Sequence, residues 1–411
     1  MRDPTREAAF DLLSAVLERR RPLEEALDAL PEVPARDRAA AHRLAAAVLR
    51  RMGMLDAVLE PLLRKEPPEP VRHVLRIGAA GLLLLDTPSH AAVATAVALA
   101  RARGLAPFAG LVNAVLRRVS EAGVAALADL DGPRLDTPAW LWASFGDKAR
   151  AIAVAHQHEA PLDVTVRPGA SLAGGELLPT GSVRFPIGTR IADIDGFAEG
   201  RCWVQDAAAA LPAKLLAARP GEHVADLCAA PGGKAGQLAA AGASVVAVER
   251  DPARLTRLRD NLRRWGLTVE TVQADATKWT APQQFDAVLL DAPCSATGTI
   301  RRHPDVPHIK RPRDVQALTE TQDRLLVAAA TMLRPGGRLI YAVCSLQPEE
   351  GAPRIEAAIK RGGLRLDPFT QDELADLPEA LTEQGFLRTL PCMWPERGGM
   401  DGFFAARLVR L

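Results

Sequence analysis

The chain has almost no excess of charge: 51 Lys and Arg stand against 50 Asp and Glu, a formal net charge of +1. No global field favours nucleic acid or a membrane surface, so any basic surface has to be local. Long apolar runs are also missing. Ala79–Leu85 falls well short of the ~18 residues of a membrane span. The start, Met1-Arg2-Asp3-Pro4-Thr5-Arg6-Glu7, lacks the apolar core of a secretion signal. Cysteine is scarce. Cys202, Cys228, Cys294, Cys344 and Cys392 are odd in number and widely spaced, matching neither a disulfide framework nor a CxxC zinc site. These absences predict a reducing, cytoplasmic setting with no membrane association and no metal centre. No repeat at solenoid periods is visible.

What is present is an ordinary globular composition, 48% hydrophobic and 25% charged over 411 residues, with room for about two or three domains. Residues 5–120 read as helix after helix. Leu12, Leu13, Val16 and Leu17 follow helical spacing, as do Leu55, Val58, Leu59, Leu62 and Leu63, then Val112, Val115, Leu116 and Val119. Breaks fall at Pro31–Pro34, Pro67–Pro70 and Thr87-Pro88-Ser89, with Ser89 expected as an N-cap. This pattern predicts an all-helical domain over 1–130, with Asp131-Gly132-Pro133 as its boundary. A linker and small α+β subdomain is expected over 131–204, with one helix over Ala139–His156 and a strand over Leu162–Arg167.

From Gln205 the pattern changes to alternating helix and strand. Helices are expected over Ala207–Ala218, Pro252–Trp265 and Val315–Leu333. Strands are expected over Val224–Leu227, Ser244–Val248, Val269–Gln273, Ala287–Leu290 and Leu339–Val343. Such alternation is the mark of a parallel α/β sheet, so 205–411 reads as a Rossmann-like domain. Gly385–Leu390 and Gly402–Val409 are expected to add an antiparallel hairpin at its edge.

The first strand feeds Cys228-Ala229-Ala230-Pro231-Gly232-Gly233-Lys234, which is neither GxGxxG nor a P-loop. Glycines there let a ligand approach the backbone. The second strand ends in Glu249, seventeen residues beyond Gly232, where an acid takes ribose hydroxyls in dinucleotide-binding folds. Asp275 and Asp291 stand after the next two strands. Acids at successive strand ends without a phosphate grip favour S-adenosylmethionine over NAD, although any α/β sheet carries some polar residues at strand ends.

Two cysteines also sit just past strands, in Asp291-Ala292-Pro293-Cys294-Ser295 and Val343-Cys344-Ser345. Ligands of a doubly wound sheet bind at the carboxyl ends of its strands, which suggests covalent chemistry by a thiolate. Free cysteines usually pack as small hydrophobes, the reading preferred for Cys202, Cys228 and Cys392. Periodicity does not say which of Cys294 and Cys344 attacks.

Five segments carry a family resemblance: DLCAAPGGK at 226–234, VVAVERD at 245–251, QAD at 273–275, LLDAPCSATGTIRRHPD at 289–305 and IYAVCSLQPEE at 340–350. They resemble the RNA 5-methylcytosine methyltransferases, and among them the bacterial RsmB (Sun/Fmu) type, which acts on small-subunit ribosomal RNA. HAAVATAVALAR at 90–101 and FAGLVNAVLRRV at 108–119 resemble the NusB-like helical RNA-binding domain of those enzymes. The resemblance implies that Cys228–Lys234, Glu249, Asp275 and Asp291 hold S-adenosylmethionine. It implies Cys344 as the nucleophile toward carbon 6 of cytosine and Cys294 as the residue aiding release; the addition itself needs an acid or donor near N3, for which Asp291, if protonated, is well placed in the sequence. DNA cytosine methyltransferases attack from the Pro-Cys motif instead, so Cys344 points to RNA. Transfer RNA as the substrate, or a non-catalytic role in RNA binding or ribosome assembly, are the competing expectations. A monomer is expected. The family often carries Ser-Thr before the Cys344 position and Asn at position 351, where this chain has Ala342-Val343 and Gly351.

Basic residues crowd the loop after Cys294. Arg301, Arg302, His303, Lys310, Arg311 and Arg313 are expected to contact RNA phosphates, which position a substrate without specifying bases. Arg250, Arg254, Arg257, Arg259, Arg263 and Arg264 read more simply as a solvated helix face. The target base has to leave its stack to reach a thiol.

Overall fold

The computed structural model describes residues 3–411 and divides into two compact units. One comprises the residues up to His158 together with Ile300–Arg311; the other comprises Glu159–Thr299 and Pro312–Leu411. Among the described residues no helix is long and apolar enough to cross a membrane.

The first unit is helical, with main helices at Pro4–Leu17, Leu23–Asp28, Ala35–Arg50, Met52–Leu59, Glu69–Leu83, Ser89–Ala102 and Ala109–Ala122. Asp3 caps the first, its carboxylate accepting from the Arg6 amide at 3.1 Å, and Pro4 opens the first turn, where its missing N–H costs nothing. The periodic apolar positions form one core: Leu12, Leu13, Val16, Leu55, Leu59, Val112, Leu116 and Val119 are all buried in it. Ser89 is not a cap. It is the first helical residue, behind Pro88, and no side chain caps that end.

Helices continue past Asp131. That residue caps a short helix, Gly132–Leu135, and a Cβ at Gly132 would lie 2.4 Å from Met54 Sδ. Asp136 then accepts from the Arg51 guanidinium, the Met54 amide and the Gln157 amide. These contacts bind the segment after Asp131 to the helical core, so the division comes at His158/Glu159 rather than near Asp131. The single helix expected over Ala139–His156 is two, Ala139–Ser144 and Ala149–His156. Gly146, at φ +55°, breaks it.

The second unit holds two sheets. The smaller, antiparallel one runs β2-β3-β1-β4, from β1 (Leu162–Val166), β2 (Glu176–Leu177), β3 (Val183–Phe185) and β4 (Cys202–Val204). Asp163 ties it to the helix Ala207–Leu216, accepting from Arg184 at 2.7 Å and from the Ala207 amide at 3.1 Å. Gln205 adds a second tie, accepting from Thr165 and Trp203 and donating to Gln237.

The larger sheet contains β5 (His223–Leu227), β6 (Ser244–Glu249), β7 (Glu270–Gln273), β8 (Phe285–Asp291), β9 (Leu333–Val343), β10 (Leu364–Leu366), β11 (Leu387–Thr389) and β12 (Phe403–Arg410), in the order β10-β12-β9-β8-β5-β6-β7, with β11 also on β12. Strands β5 to β9 are parallel. Both faces are covered, as parallel sheets require. Val224, Val245, Ala287 and Ile340 pack with Leu211, Leu238 and Leu262 on one side. Leu227, Val248, Leu290 and Tyr341 pack with Leu325, Leu326 and Ile355 on the other. The expected closing hairpin is the pair β11–β12, but β12 is internal: it pairs antiparallel with β9 and β10 forms the edge. The three residues of β10 are too few to show a period.

Strand order reverses between β5 and β8, because β6 and β7 build outward on one side and β9 on the other. A crevice at the carboxyl ends of the strands lies at such a reversal.

Candidate active site

Cys228 leaves β5 at φ +62°, the Ala230–Pro231 peptide is cis, and Gly232 stands at φ +105°, opening the helix Gly233–Ala240. A side chain at that φ would be strained, which explains glycine there. The turn is pinned to its neighbours. The Ala229 amide donates to Val248 O at 3.1 Å, Arg254 donates to Ala230 O at 2.7 Å and Asn261 to Pro231 O at 3.0 Å. Arg254 therefore supports the turn while its side chain stays on the exposed helix face. Arg264 likewise donates to Phe197 O and lies over the Phe197 ring. Burial, with Glu249, Asp291 and Asp226 nearby, pushes the Cys228 thiol up to about 12, so it stays a thiol and packs.

Carboxylates gather around this turn. Glu249 ends β6 with 2% exposure; Oε1 accepts from the Asp251 amide at 3.0 Å, while Oε2 makes no hydrogen bond and has only the Arg254 guanidinium at 3.5 Å beside it. Asp275, after β7, accepts from the Thr277 amide and hydroxyl, which hold its carboxyl below the usual range. Asp291 ends β8 and takes the Lys234 ammonium at 2.7 Å. Burial works against the charge on Lys234. Asp291, then Asp226 and Cys344, outweigh it and hold its pKa above that of an ordinary lysine.

Asp226 is the residue that sequence reasoning missed. It sits in β5, fully buried, with neither carboxyl oxygen hydrogen-bonded, although the Ala235 amide lies near enough to pull its pKa slightly down. Burial dominates and pushes it up to about 8. The available signal was an acid inside an otherwise apolar strand, two residues before Cys228. Buried acceptors without donors are costly. An adenosyl ligand carrying ribose hydroxyls and an ammonium group would offer hydrogen-bond donors to Asp226 and Glu249, so this lining fits S-adenosylmethionine.

The two cysteines come together at the ends of β8 and β9, which run side by side with Asp291 opposite Ala342. Their Sγ atoms are 3.4 Å apart. Both side chains are half-buried rather than sealed in the core. The contact with Cys344, burial, the Cys344 charge and Glu350 push the Cys294 thiol well above its ordinary value. Position 343 faces the core: Val343 is fully buried there. A Cβ at Gly351 would lie 3.3 Å from the Phe404 ring, so both departures from the family pattern are matters of packing.

The basic loop differs from expectation. Ile300–Arg311 packs within the helical unit. Arg301 is 2% exposed, and its carbonyl accepts from Arg50 at 2.8 Å. Asp305 accepts from the Leu23 amide, His308 meets Leu49 O and Arg20 donates to Ile309 O. A guanidinium buried this way does not present itself to a phosphate. Arg302, His303 and Lys310 are half-buried, while Arg311 and Arg313 are exposed.

Known proteins share both the fold and the sequence pattern. Residues 213–409 match the family model described as 16S rRNA methyltransferase RsmB/F, and residues 3–121 match the NusB family. Ribosomal RNA small subunit methyltransferase B of Xanthomonas campestris pv. campestris is 39% identical, covering 87% of this chain and 88% of that protein. The protein of the same name from Shigella sonnei is 34% identical over 98% of both chains. A crystal structure of a methyltransferase homolog from Pyrococcus horikoshii superposes with a TM-score of 0.55 at 26% identity, covering 69% of this chain and 96% of the other. These matches bear out the Rossmann-like fold, the NusB-like helical domain and S-adenosylmethionine as cofactor. With helical domain, cofactor turn and paired cysteines all accounted for, the chain belongs to the RsmB/F family of 16S rRNA methyltransferases.

Proposed function

We propose that this protein methylates carbon 5 of a cytosine in small-subunit ribosomal RNA through a transient bond between Cys344 and the pyrimidine ring. The observation that carries the reading is the pair of thiols 3.4 Å apart at the ends of adjacent parallel strands. A packing cysteine needs no such partner, and a pure RNA-binding protein needs neither thiol.

The Cys344 thiolate adds to carbon 6, and the electron pair of the C5–C6 double bond makes carbon 5 nucleophilic. The Lys234 ammonium, held by Asp291 at 2.7 Å, offsets the charge that addition places on the ring at N3. Asp226, Glu249, Asp275 and the turn Cys228–Lys234 hold the cofactor. S-adenosylmethionine, when bound, would supply the electrophilic methyl group to carbon 5, its S–CH3 bond breaking and S-adenosylhomocysteine leaving. The carbon 5 proton then leaves to a base, the double bond re-forms and the C6–S bond breaks, returning Cys344 as a thiolate.

Cys294 is suited to that last proton transfer because of what raises its pKa. Its contact with Cys344 comes first among the causes, and the Cys344 charge is another. Once Cys344 is bonded to carbon 6, its charge is gone. Part of what holds Cys294 protonated is then removed, while its burial and Glu350 remain.

RNA reaches the site with its target base unstacked. Arg311 and Arg313, both exposed, contact phosphates, with Arg302, His303 and Lys310 contributing from half-buried positions; Arg301 acts only through the fold. Bisulfite sequencing of total RNA from cells lacking the protein tests the assignment. One small-subunit rRNA cytosine losing protection supports it; a transfer RNA site, or none, overturns it.

A further inference from the structure

The chemistry leaves one buried polar cluster beside the cysteines unexplained. Glu350 lies in the turn Pro348–Glu350, before the helix Ala352–Lys360, and is fully buried. A carboxylate taken out of water is costly unless its lone pairs find donors. Here they do. Oε1 accepts from the Ser295 amide at 2.9 Å and from Gln322 Nε2 at 3.0 Å. Oε2 accepts from Ser295 Oγ at 2.6 Å and from Ser345 Oγ.

Ser295 and Ser345 are the residues directly after the two cysteines, and their hydroxyl oxygens lie 2.9 Å apart. One carboxylate therefore joins both cysteine-bearing loops at equivalent positions. Further bonds converge on the same two loops. Gln322 also donates to Pro293 O at 3.0 Å, just ahead of Cys294. The Gly298 amide donates to Cys344 O at 3.0 Å, and Arg388 donates to Ser345 O at 2.6 Å. Tyr341 OH holds the carbonyl of Glu350 at 2.8 Å. At Gly298 a Cβ would fall 1.9 Å from Gly402 O, so the backbone is packed too closely there for any side chain.

We infer that Glu350 is a positioning residue for methyl transfer: by holding Ser295 and Ser345 together it sets the separation and relative orientation of Cys294 and Cys344. The inference rests on the reading in which Cys344 attacks and Cys294 serves release. Both thiols have to address neighbouring atoms of one ring, and side chains that must act within a narrow tolerance need a satisfied shell behind them. Both Glu350 oxygens are bonded, and a buried carboxylate held this way provides such rigidity, although Gln322 Oε1 beside it has no hydrogen-bond partner. A displacement of about 1 Å lowers a rate by about 10²-fold.

The test uses the full chain with S-adenosylmethionine and a small-subunit rRNA transcript, comparing Glu350→Gln, Glu350→Ala and Ser345→Ala. Three quantities are read: kcat and KM for RNA, cofactor affinity by calorimetry, and the rate at which diamide links Cys294 to Cys344. In that last reaction the two thiols lose two protons and two electrons to form one S–S bond, and the diazene becomes the hydrazine. Glu350→Ala and Ser345→Ala should lower kcat by about 10²-fold with KM and cofactor affinity unchanged, and should slow disulfide formation by about tenfold, a local readout of the same displacement. Glu350→Gln should recover most of both rates. Its amide oxygen still accepts from the Ser295 amide and Gln322, and its NH₂ can donate to hydroxyls that turn to accept.

Disulfide formation at the wild-type rate in both Glu350→Ala and Ser345→Ala overturns the inference. So does a Gln variant as slow as the Ala variant, or a fall in cofactor affinity parallel to kcat. Should Glu350→Ala not fold, Ser345→Ala decides. If the wild type forms no adduct with 5-fluorocytosine-containing transcript, the covalent reading fails instead, while the diamide rates still judge the clip.

Discussion

Cys294 Sγ lies 3.4 Å from Cys344 Sγ, yet the two thiols differ in what surrounds them. Ser295, behind Cys294, donates to Glu350 through both its amide and its hydroxyl, while Ser345, behind Cys344, donates to it through its hydroxyl alone. Removing each thiol should therefore give a different failure. Cys344→Ala should lose methyl transfer by on the order of 10⁶-fold, as removal of a nucleophile does, while calorimetry shows cofactor binding intact. Cys294→Ala should instead accumulate a protein–RNA adduct that survives denaturing electrophoresis. Free turnover by the first variant, or no adduct from the second, contradicts the assigned roles.

The cofactor site makes its own prediction through Glu249. Its buried Oε2 makes no hydrogen bond and faces only the Arg254 guanidinium at 3.5 Å, leaving it open to a cofactor hydroxyl. Hydrogen bonds to charged groups contribute about 1.5–3 kcal/mol, so Glu249→Ala should weaken S-adenosylmethionine binding by roughly ten- to a hundredfold. Isothermal titration reads this directly, and an unchanged Kd rejects the placement.

Arginines in the basic loop should separate by burial. Reversing the charge at Arg301 puts a carboxylate into the core of the helical unit, which should lower the melting temperature and cost about 3–5 kcal/mol. Arg311→Glu and Arg313→Glu should leave melting unchanged, weaken RNA binding and reduce the salt slope by about one each. Filter binding at several salt concentrations, alongside thermal melts, distinguishes the two behaviours.

His156 gives a pH signature in the helical unit. Burial, with Arg301 and Arg50 nearby, pushes it down to about 3, and its Nε2 has no hydrogen-bond partner. Between pH 6.5 and about 3 the unfolded chain binds a proton there that the folded one does not, so stability falls as pH drops through that window. His73 and His308, also lowered by burial, act in the same direction. The melting temperature should decline below pH 6.5, and His156→Gln should decline less steeply, by up to about 1.4 kcal/mol per pH unit. Parallel curves for wild type and variant contradict this.

Local pattern carried much of what is seen. The helix Pro252–Trp265 lies between Asp251, which caps it, and Gly266, at φ +61°, both readable signals. The cofactor turn was legible because glycine at a strand–helix junction has few other uses. Other features depended on distant partners. Asp131 reads as a boundary because Gly-Pro punctuates chains in general, and only the packing of Gly132 on Met54 and Gln157 makes it a cap inside a unit. Arg301 reads as a phosphate ligand because composition cannot tell a buried guanidinium from an exposed one.

The order of residues by itself determined the alternation of strands and helices, the acids at strand ends and the two cysteines just past β8 and β9. Only the tertiary structure decided that those cysteines, fifty residues apart in the chain, stand sulfur to sulfur, that Glu350 binds the loops carrying them, and that Asp226 is buried without donors. Spacing along the chain reports periodicity and local capping, which are short-range effects. The separation of two thiols and the desolvation of a carboxylate are set by which strands pair and what packs over them.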